Sequence, residues 1–180
     1  VEQNITLTIS QFENLKIIAA LKKRPVIHIK IDTGMHRQGF FPSEASELIH
    51  FSKKNGIKLE GLYTHFAAAK DPTAPMYTLR QYTAFMKVIG QFEGAGYHRL
   101  IRHAAASGAT LLFPETHLDM VRIGMAMYGS WPSREAAWSE VAACMEIKPV
   151  LVWKTVVGEV KTIPPGSFIG YDGIERTART

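Results

Sequence analysis

Cysteine is almost absent from this chain of 180 residues, since Cys144 is the only one. A single cysteine excludes an intramolecular disulfide framework and is typical of a reducing compartment, so we expect a cytoplasmic protein. No apolar run approaches the roughly 20 residues that a transmembrane helix needs, and we expect no membrane partner. No signal-peptide pattern is present, and the chain begins with Val1 rather than Met, which indicates that a natural N-terminus is missing.

Long runs of like charge and recognisable ligand motifs are also missing. The net charge is +5, but the basic residues are scattered in short clusters, chiefly at residues 22–24 and 53–54. Both clusters fall at predicted helix ends, where cations favour the helix dipole, so a nucleic-acid surface is the less favoured interpretation. The seven histidines show no paired ligand spacing, and no glycine-rich dinucleotide fingerprint follows a strand. We therefore expect no metal site and no nucleic-acid partner.

What the chain does contain is a strand–helix rhythm that lasts to about residue 122. Three helices are predicted between the strands. The first begins at a capping box at residues 10–13, the second begins at Pro42, and the third is marked by the helical spacing of Leu79, Tyr82, Met86 and Ile89. Short loops predict parallel strands with right-handed crossovers. A closed (β/α)8 barrel needs eight strands, so the fold class is α/β, either a partial barrel or an open sheet. About five strands are predicted, at residues 5–9, 26–32, 57–65, 100–104 and 117–121.

The pattern changes after Pro132. Residues 135–145 read as a helix, and alternating apolar residues at 150–153 and 155–157, followed by a turn at 164–166, predict antiparallel strands. We place a domain change near residue 140, with the barrel part over residues 1–140 and the beginning of a β domain over 141–180. That β segment has too few strands to bury a core of its own.

Polar side chains collect at the predicted ends of several strands. Because the strand ends of a barrel converge, these side chains predict one anion-binding site. Ser107 and Gly124 also stand where backbone N–H groups can meet a phosphate. The groups are Lys30 with Arg37, His65 with its neighbours, His103 with Ser107, Arg122 with Gly124, and Tyr128 with Gly129.

Each of these residues also has a purely structural interpretation. Lys30 can reach solvent or pair with Asp32, His65 can be a hydrogen-bonded core histidine, and Ser107 can be only a helix cap. Arg122 can form a structural ion pair with Asp119. Taken singly, each structural interpretation is favoured; the functional one gains from the shared position at strand ends.

Four ordered blocks in these regions resemble the alanine racemases that depend on pyridoxal 5'-phosphate (PLP). The resemblance implies a PLP-binding (β/α)8 barrel followed by a β domain, in a head-to-tail homodimer. It implies interconversion of L-alanine and D-alanine, which supplies D-alanine for the peptidoglycan of the cell wall. The blocks lie at residues 30–39, 61–67, 103–107 and 119–129, and the first and last are the most specific.

The resemblance also implies roles for individual residues. Arg122 matches the arginine that donates to the PLP ring nitrogen, and His65 matches the histidine beside the ring. Ser107, Gly124 and Met125 match phosphate-binding positions, the last two through backbone amides.

Two further residues match orienting positions of the family. Arg37 matches an arginine near the cofactor's phenolic oxygen and the substrate carboxylate. Lys30 matches a lysine that many members carry carbamylated, as a negative partner for that arginine.

Two residues central to the family's reaction match no position in this chain. These are the Schiff-base lysine, which is also one catalytic base, and the catalytic tyrosine from the partner subunit's β domain. Tyr171 fits an earlier Gly-Tyr segment and does not take that role. We therefore expect an internal fragment that is inactive and poorly soluble alone. Ala106 in place of asparagine and His36 in place of glycine are smaller departures.

Other interpretations stay open at this point. A second enzyme interpretation is a broad-specificity amino-acid racemase or a PLP-dependent decarboxylase of the same barrel class, although the glycine-rich phosphate loop usual in decarboxylases is not found. A non-catalytic PLP-carrier protein or a basic binding module of the same barrel class is the non-enzyme interpretation, and the segment after residue 147 argues against a single-domain carrier.

Overall fold

The computed structural model describes residues 5–178, and its first part is a parallel sheet with helices between the strands. The four strands are hydrogen-bonded in chain order, so each strand lies beside the next one in sequence. This confirms the predicted parallel α/β arrangement. The elements are β1 (Leu7–Ile9), α1 (Phe12–Ala20), β2 (Ile27–Lys30), α2 (Ala45–Lys54), β3 (Leu59–Tyr63), α3 (Met76–Gly94), β4 (Ile101–His103) and α4 (Ser107–Leu112).

The core lies between one face of this sheet and the helices. Ile27, Ile29 and Ile31 are fully buried there, as their alternation predicts. The opposite face of the same strand is polar but also buried, because His28, Lys30 and Asp32 are each at most 9% exposed. Buried polar groups require hydrogen-bond partners, so this inner polar face must be organised by its own contacts.

The helices differ from the prediction in detail. The predicted capping box at Ser10 is wrong: α1 is capped by Gln11, without a side-chain hydrogen bond, so Ser10 lies outside the helix. The predicted end of α2 is confirmed, with Asn55 as the C-cap and Gly56 in the left-handed region. In α3 the predicted stripe is buried only in part, because Ile89 is 3% exposed whereas Leu79, Tyr82 and Met86 are half-buried. The rest of the buried face is formed by Thr78, Gln81, Phe85, Val88 and Phe92.

The fifth predicted strand, at residues 117–121, is wrong. Leu118 has a positive φ of 54°, which breaks the extended path, and the Asp119 carboxylate bonds the backbone N–H of Arg102 at the edge of β4. The only pairing left in this part of the described chain is an isolated bridge between Arg122 and Ala106. Residues 5–150 therefore show four parallel strands.

The later chain contains short elements. Helices α5 (Arg134–Ala137) and α6 (Glu140–Cys144) replace the single predicted helix, and the predicted strands at 150–153 and 155–157 are wrong. Residues 150–157 pair with no strand in the described chain and are highly exposed, and an alternating pattern forms a strand only beside a partner. An antiparallel pair does form further on, between β5 (Phe168–Ile169) and β6 (Glu175–Arg176).

The chain divides into two compact units after Val150. The expected domain change near residue 140 stays a prediction. No helix among residues 5–178 combines the length and apolar character needed to cross a bilayer.

The loop after β2 is closed by its own backbone. Asp32 Oδ1 accepts hydrogen bonds from the N–H groups of Gly34 (2.9 Å) and His36 (3.0 Å). Phe40 then returns to β2, donating to the Lys30 carbonyl at 2.9 Å. Gly39 permits this return, since a Cβ there would lie 2.8 Å from the Asp32 nitrogen. The loop holds His36 at a φ of 53°, a conformation that favours glycine.

Substituting His36→Gly is expected to raise the free energy of unfolding by about 1 kcal/mol, because it relieves the left-handed backbone. The matched control is His50→Gly on the exposed face of α2, which is expected to lower that free energy by about 0.5 kcal/mol through lost helix propensity. Urea denaturation of the two variants measures both values. Destabilisation by both substitutions would contradict the strain assigned to His36.

Candidate cofactor site

The guanidinium of Arg122 is the centre of the polar groups at the strand ends. It donates to His103 Nδ1 at 2.8 Å, to the Thr64 carbonyl at 2.8 Å and to the Ala104 carbonyl at 3.1 Å. A fourth contact reaches His65 Nδ1 at 3.3 Å. The loop amide of Arg122 donates to the Ala105 carbonyl at 2.9 Å, which fixes the backbone from which the side chain extends.

All of these acceptors are neutral. Among residues 5–178 no carboxylate pairs with Arg122, because Asp119 binds Arg102 instead, with contacts of 2.8 and 3.1 Å to its guanidinium. The structural ion pair between Arg122 and Asp119 is therefore excluded. Arg122 carries a positive charge that is oriented by neutral groups and balanced by no adjacent anion.

The two histidines beside Arg122 are held neutral. Burial lowers the pKa of His65, and the charges of Arg122, Arg37 and Lys30 lower it further. Burial, followed by the charge of Arg122, lowers the pKa of His103 to about 3. Since each ring accepts from Arg122 at Nδ1, each carries its proton on Nε2.

A second cluster of donors surrounds the hydroxyl of Ser107, the first residue of α4. Its Oγ accepts from the N–H of Gly124 at 2.9 Å and lies 3.4 Å from the N–H of Ala126. Sequence reasoning missed Ala126, one residue beyond the expected Met125. The signal was present, because a turn that aims one amide at a point often aims a neighbouring amide there as well.

Both clusters face one cavity of about 380 Å³, within the size range of small-molecule sites. It gathers five of the expected residues, namely His65, Ser107, Arg122, Gly124 and Met125. The described wall contains two cationic side chains and no carboxylate. Its lining is His65, Phe66, Ala67, Ala69, Lys70, Ala106, Ser107, Gly108, Ala109, Arg122, Gly124, Met125 and Pro132.

Lys30 and Arg37 lie apart from that lining. Lys30 is only 4% exposed, and burial, followed by the charges of Arg37 and Arg122, lowers its pKa against the opposing effect of Asp32. Arg37 is exposed on the loop after β2. The proposed orienting role of this pair stays a prediction.

A buried glutamine on α3 was not anticipated. The Gln81 side chain accepts from the N–H of Ala67 at 2.9 Å and approaches both Thr33 Oγ1 and the His65 carbonyl at 3.5 Å. It therefore ties the loops after β2 and β3 together. A polar residue at the centre of an apolar helical face was the available signal.

Comparison with known proteins decides the family. Residues 1–132 match the family described as alanine racemase, N-terminal domain. The chain belongs to the alanine racemase family. That family uses PLP and has an α/β barrel domain, of which residues 5–150 show four parallel strands.

Relatives and solved structures agree with this assignment. The alanine racemase of Leptospira interrogans is 36% identical over 98% of this chain and 46% of the relative, and that of Desulforamulus reducens is 39% identical over 94% and 46%. The Streptomyces coelicolor A3(2) alanine racemase structure matches with a TM-score of 0.84 and 30% identity over 98% of this chain and 48% of that one. The structure of the Clostridium difficile 630 alanine racemase matches with a TM-score of 0.81 and 31% identity, over 99% of this chain and 47% of that one. The chain spans about half the length of the curated relatives it matches.

The stability of this alanine racemase domain is expected to fall as the pH drops below about 6.5. In that range the unfolded His103 binds a proton that the folded ring, with its pKa of about 3, does not. The contribution reaches about 1.4 kcal/mol per pH unit. Urea denaturation between pH 7 and pH 4 measures the slope for the chain and for His103→Gln, which keeps a neutral donor and acceptor. Equal slopes in the two proteins would contradict the buried neutral ring.

Proposed function

We propose that this chain forms the cofactor-holding part of an enzyme that interconverts L-alanine and D-alanine with PLP. The observation that carries the proposal is the pairing of two donor clusters on one cavity, the Arg122 guanidinium and the Ser107 hydroxyl with the amide of Gly124. The relatives named above are alanine racemases, which favours this activity over that of a carrier protein.

The cavity suits the chemistry of PLP. The cofactor presents acceptors, namely a phosphate with roughly two negative charges and a pyridine nitrogen. The cavity presents donors: the hydroxyl of Ser107 and the amides of Gly124 and Met125 would hold the phosphate, and Arg122 would donate to the ring nitrogen. The cationic lining without a carboxylate favours an anion further.

Arg122 would tune the reaction as well as bind. When bound, PLP supplies a conjugated ring that accepts the electron pair left when the Cα proton of the amino acid is removed. A fixed guanidinium beside the ring nitrogen disfavours a proton there, because two positive charges would then be adjacent. The ring would withdraw electrons less strongly, which favours return of the proton over side reactions. His65, held neutral, would pack beside the ring without adding a third charge.

Lys30 and Arg37 would orient the substrate side of the site. The carboxylate of Asp32 is already bonded to loop amides, so it offers Arg37 little compensation. A carbamate on Lys30 would place a negative charge near Arg37 and Arg122, whose charges both act on this lysine.

For the whole protein we infer the architecture, the assembly and the cellular role that the family resemblance implies. A closed (β/α)8 barrel, a β domain and a head-to-tail homodimer would complete the site, in a cytoplasmic enzyme that supplies D-alanine for peptidoglycan. The support is the match over about half the length of the relatives and the single cysteine.

Binding of pyridoxine 5'-phosphate to the chain tests the proposal without a covalent link, since this analogue has no aldehyde. Calorimetric titration is expected to detect binding to the wild-type chain, and Ser107→Ala and Arg122→Lys are each expected to weaken it about tenfold or more through lost charge-assisted hydrogen bonds. Ser52→Ala is the matched control, because Ser52 is a buried serine on α2 whose hydroxyl has no hydrogen-bond partner among residues 5–178. Absence of binding, or equal weakening by the control, would contradict the proposed site.

Lys30 is expected to form a carbamate in ¹³C-bicarbonate at a lower pH than the exposed lysines. Its amine nitrogen attacks dissolved CO2 and releases one proton, and only the neutral amine reacts, which its lowered pKa favours. Carbon-13 NMR is expected to show a carbamate signal that disappears in Lys30→Arg and persists in the control Lys53→Arg on α2. A signal equally strong in Lys30→Arg would contradict this role.

A further inference from the structure

Behind His103 a hydrogen-bonded chain continues across the inner polar face of the sheet. His103 Nε2 lies 2.9 Å from His28 Nδ1, and His28 Nε2 lies 3.0 Å from Glu60 Oε2. The chain therefore joins Arg122 to a carboxylate through two imidazole rings, with one residue from each of β2, β3 and β4. Both rings are buried, at 9% exposure for His28 and 4% for His103.

The direction of every hydrogen bond in this chain follows from its first member. A guanidinium only donates, so His103 accepts at Nδ1 and must donate from Nε2. His28 then accepts at Nδ1 and donates from Nε2 to the carboxylate of Glu60. Each ring is thus restricted to its Nε2–H tautomer. The carboxylate of Glu60 accepts the last hydrogen bond of the chain.

The backbone is shaped to permit these contacts. Ile27 pairs with Leu59 but His28 pairs with Gly61, so Glu60 is an extra residue in β3, and a bulge of this kind redirects a side chain. At Gly61 a Cβ would lie 2.7 Å from two atoms of the His28 ring. Because Gly61 has no side chain, the His28 ring can occupy this position. Tyr63 stacks on His103 with ring centroids 4.8 Å apart and an interplanar angle of 5°, which fixes the ring plane.

We propose that His28 and Glu60 are positioning residues that act on the cofactor ring nitrogen through His103 and Arg122. The inference rests on the proposed function, because it takes Arg122 as the donor to that nitrogen. Glu60 balances the charge of Arg122 from two rings away, so the guanidinium is oriented without a carboxylate beside it. An adjacent carboxylate would compete with the cofactor for the same N–H groups; the remote one does not.

The first test observes the tautomers directly and requires no cofactor. In the ¹⁵N-histidine-labelled chain, long-range ¹H–¹⁵N spectra at pH 7 are expected to show a protonated Nε2 and an unprotonated Nδ1 for both His28 and His103. Glu60→Gln retains an acceptor oxygen and is expected to keep both tautomers. Arg122 still donates to His103 Nδ1 in His28→Phe, so this variant is expected to keep the His103 tautomer and to shift the His103 Nε2–H proton resonance upfield, because that N–H loses its acceptor. The control His50→Phe on α2 is expected to leave the resonance unchanged.

The second test measures discrimination at the ring nitrogen. The probes are pyridoxine 5'-phosphate and its analogue with C–H in place of that nitrogen, and the readout is the ratio of their dissociation constants. Glu60→Gln is expected to reduce this preference roughly 2- to 30-fold. Ser107→Ala is expected to weaken both probes equally and leave the ratio unchanged.

The outcomes separate the two proposals. A protonated Nδ1 on His103, or a His103 Nε2–H resonance that is unchanged in His28→Phe, would overturn the hydrogen-bonded chain whatever the probes do. An unchanged ratio in Glu60→Gln would overturn the action on the ring nitrogen. Failure of both probes to bind while the expected tautomers are present would contradict the proposed cofactor site and with it the role of Glu60 there.

Discussion

A guanidinium that can only donate hydrogen bonds determines how the inner face of this sheet is arranged. Arg122 is surrounded by neutral acceptors, two histidine nitrogens and two backbone carbonyls, at the point where β3 and β4 end. Its donors set the tautomers of His65 and His103, and its charge contributes to holding both rings neutral. The outer, apolar face of the same strands gives the rigid support on which this arrangement depends.

The polar inner face also shows why a buried charge is tolerated here. Leaving a buried donor without an acceptor costs about 1–3 kcal/mol, so the donors of Arg122 and of the rings behind it each need an acceptor. The contacts of Arg122, His103 and His28 end on Glu60, which also accepts from Thr6 Oγ1 at 3.2 Å. The buried cation is thereby supported by elements as distant in sequence as Thr6 and Arg122.

Much of the fold and of the site follows from local sequence, and the remainder depends on long-range contacts. The alternation of Ile27, Ile29 and Ile31 predicted the buried face correctly because strand periodicity is local. The strand predicted at residues 117–121 does not form, because the Asp119 carboxylate accepts from the backbone N–H of Arg102, which a neighbouring strand would need. The alternation of apolar residues in the sequence does not show this contact. The family resemblance pointed to five of the residues that line the cavity. Gln81 and Ala126 left only a local signal in the sequence, and the contact of Glu60 with His28 depends on a bulge in β3 that no local pattern shows.

In the proposed function, Arg122 would donate to an unprotonated ring nitrogen of bound PLP. Nitrogen-15 NMR of cofactor labelled at the ring nitrogen, bound to this chain and followed between pH 5 and pH 9, observes that nitrogen directly. The account predicts the signal of an unprotonated pyridine throughout this range, altered in Arg122→Lys. A protonated pyridinium signal in the wild-type complex at pH 7 would contradict it.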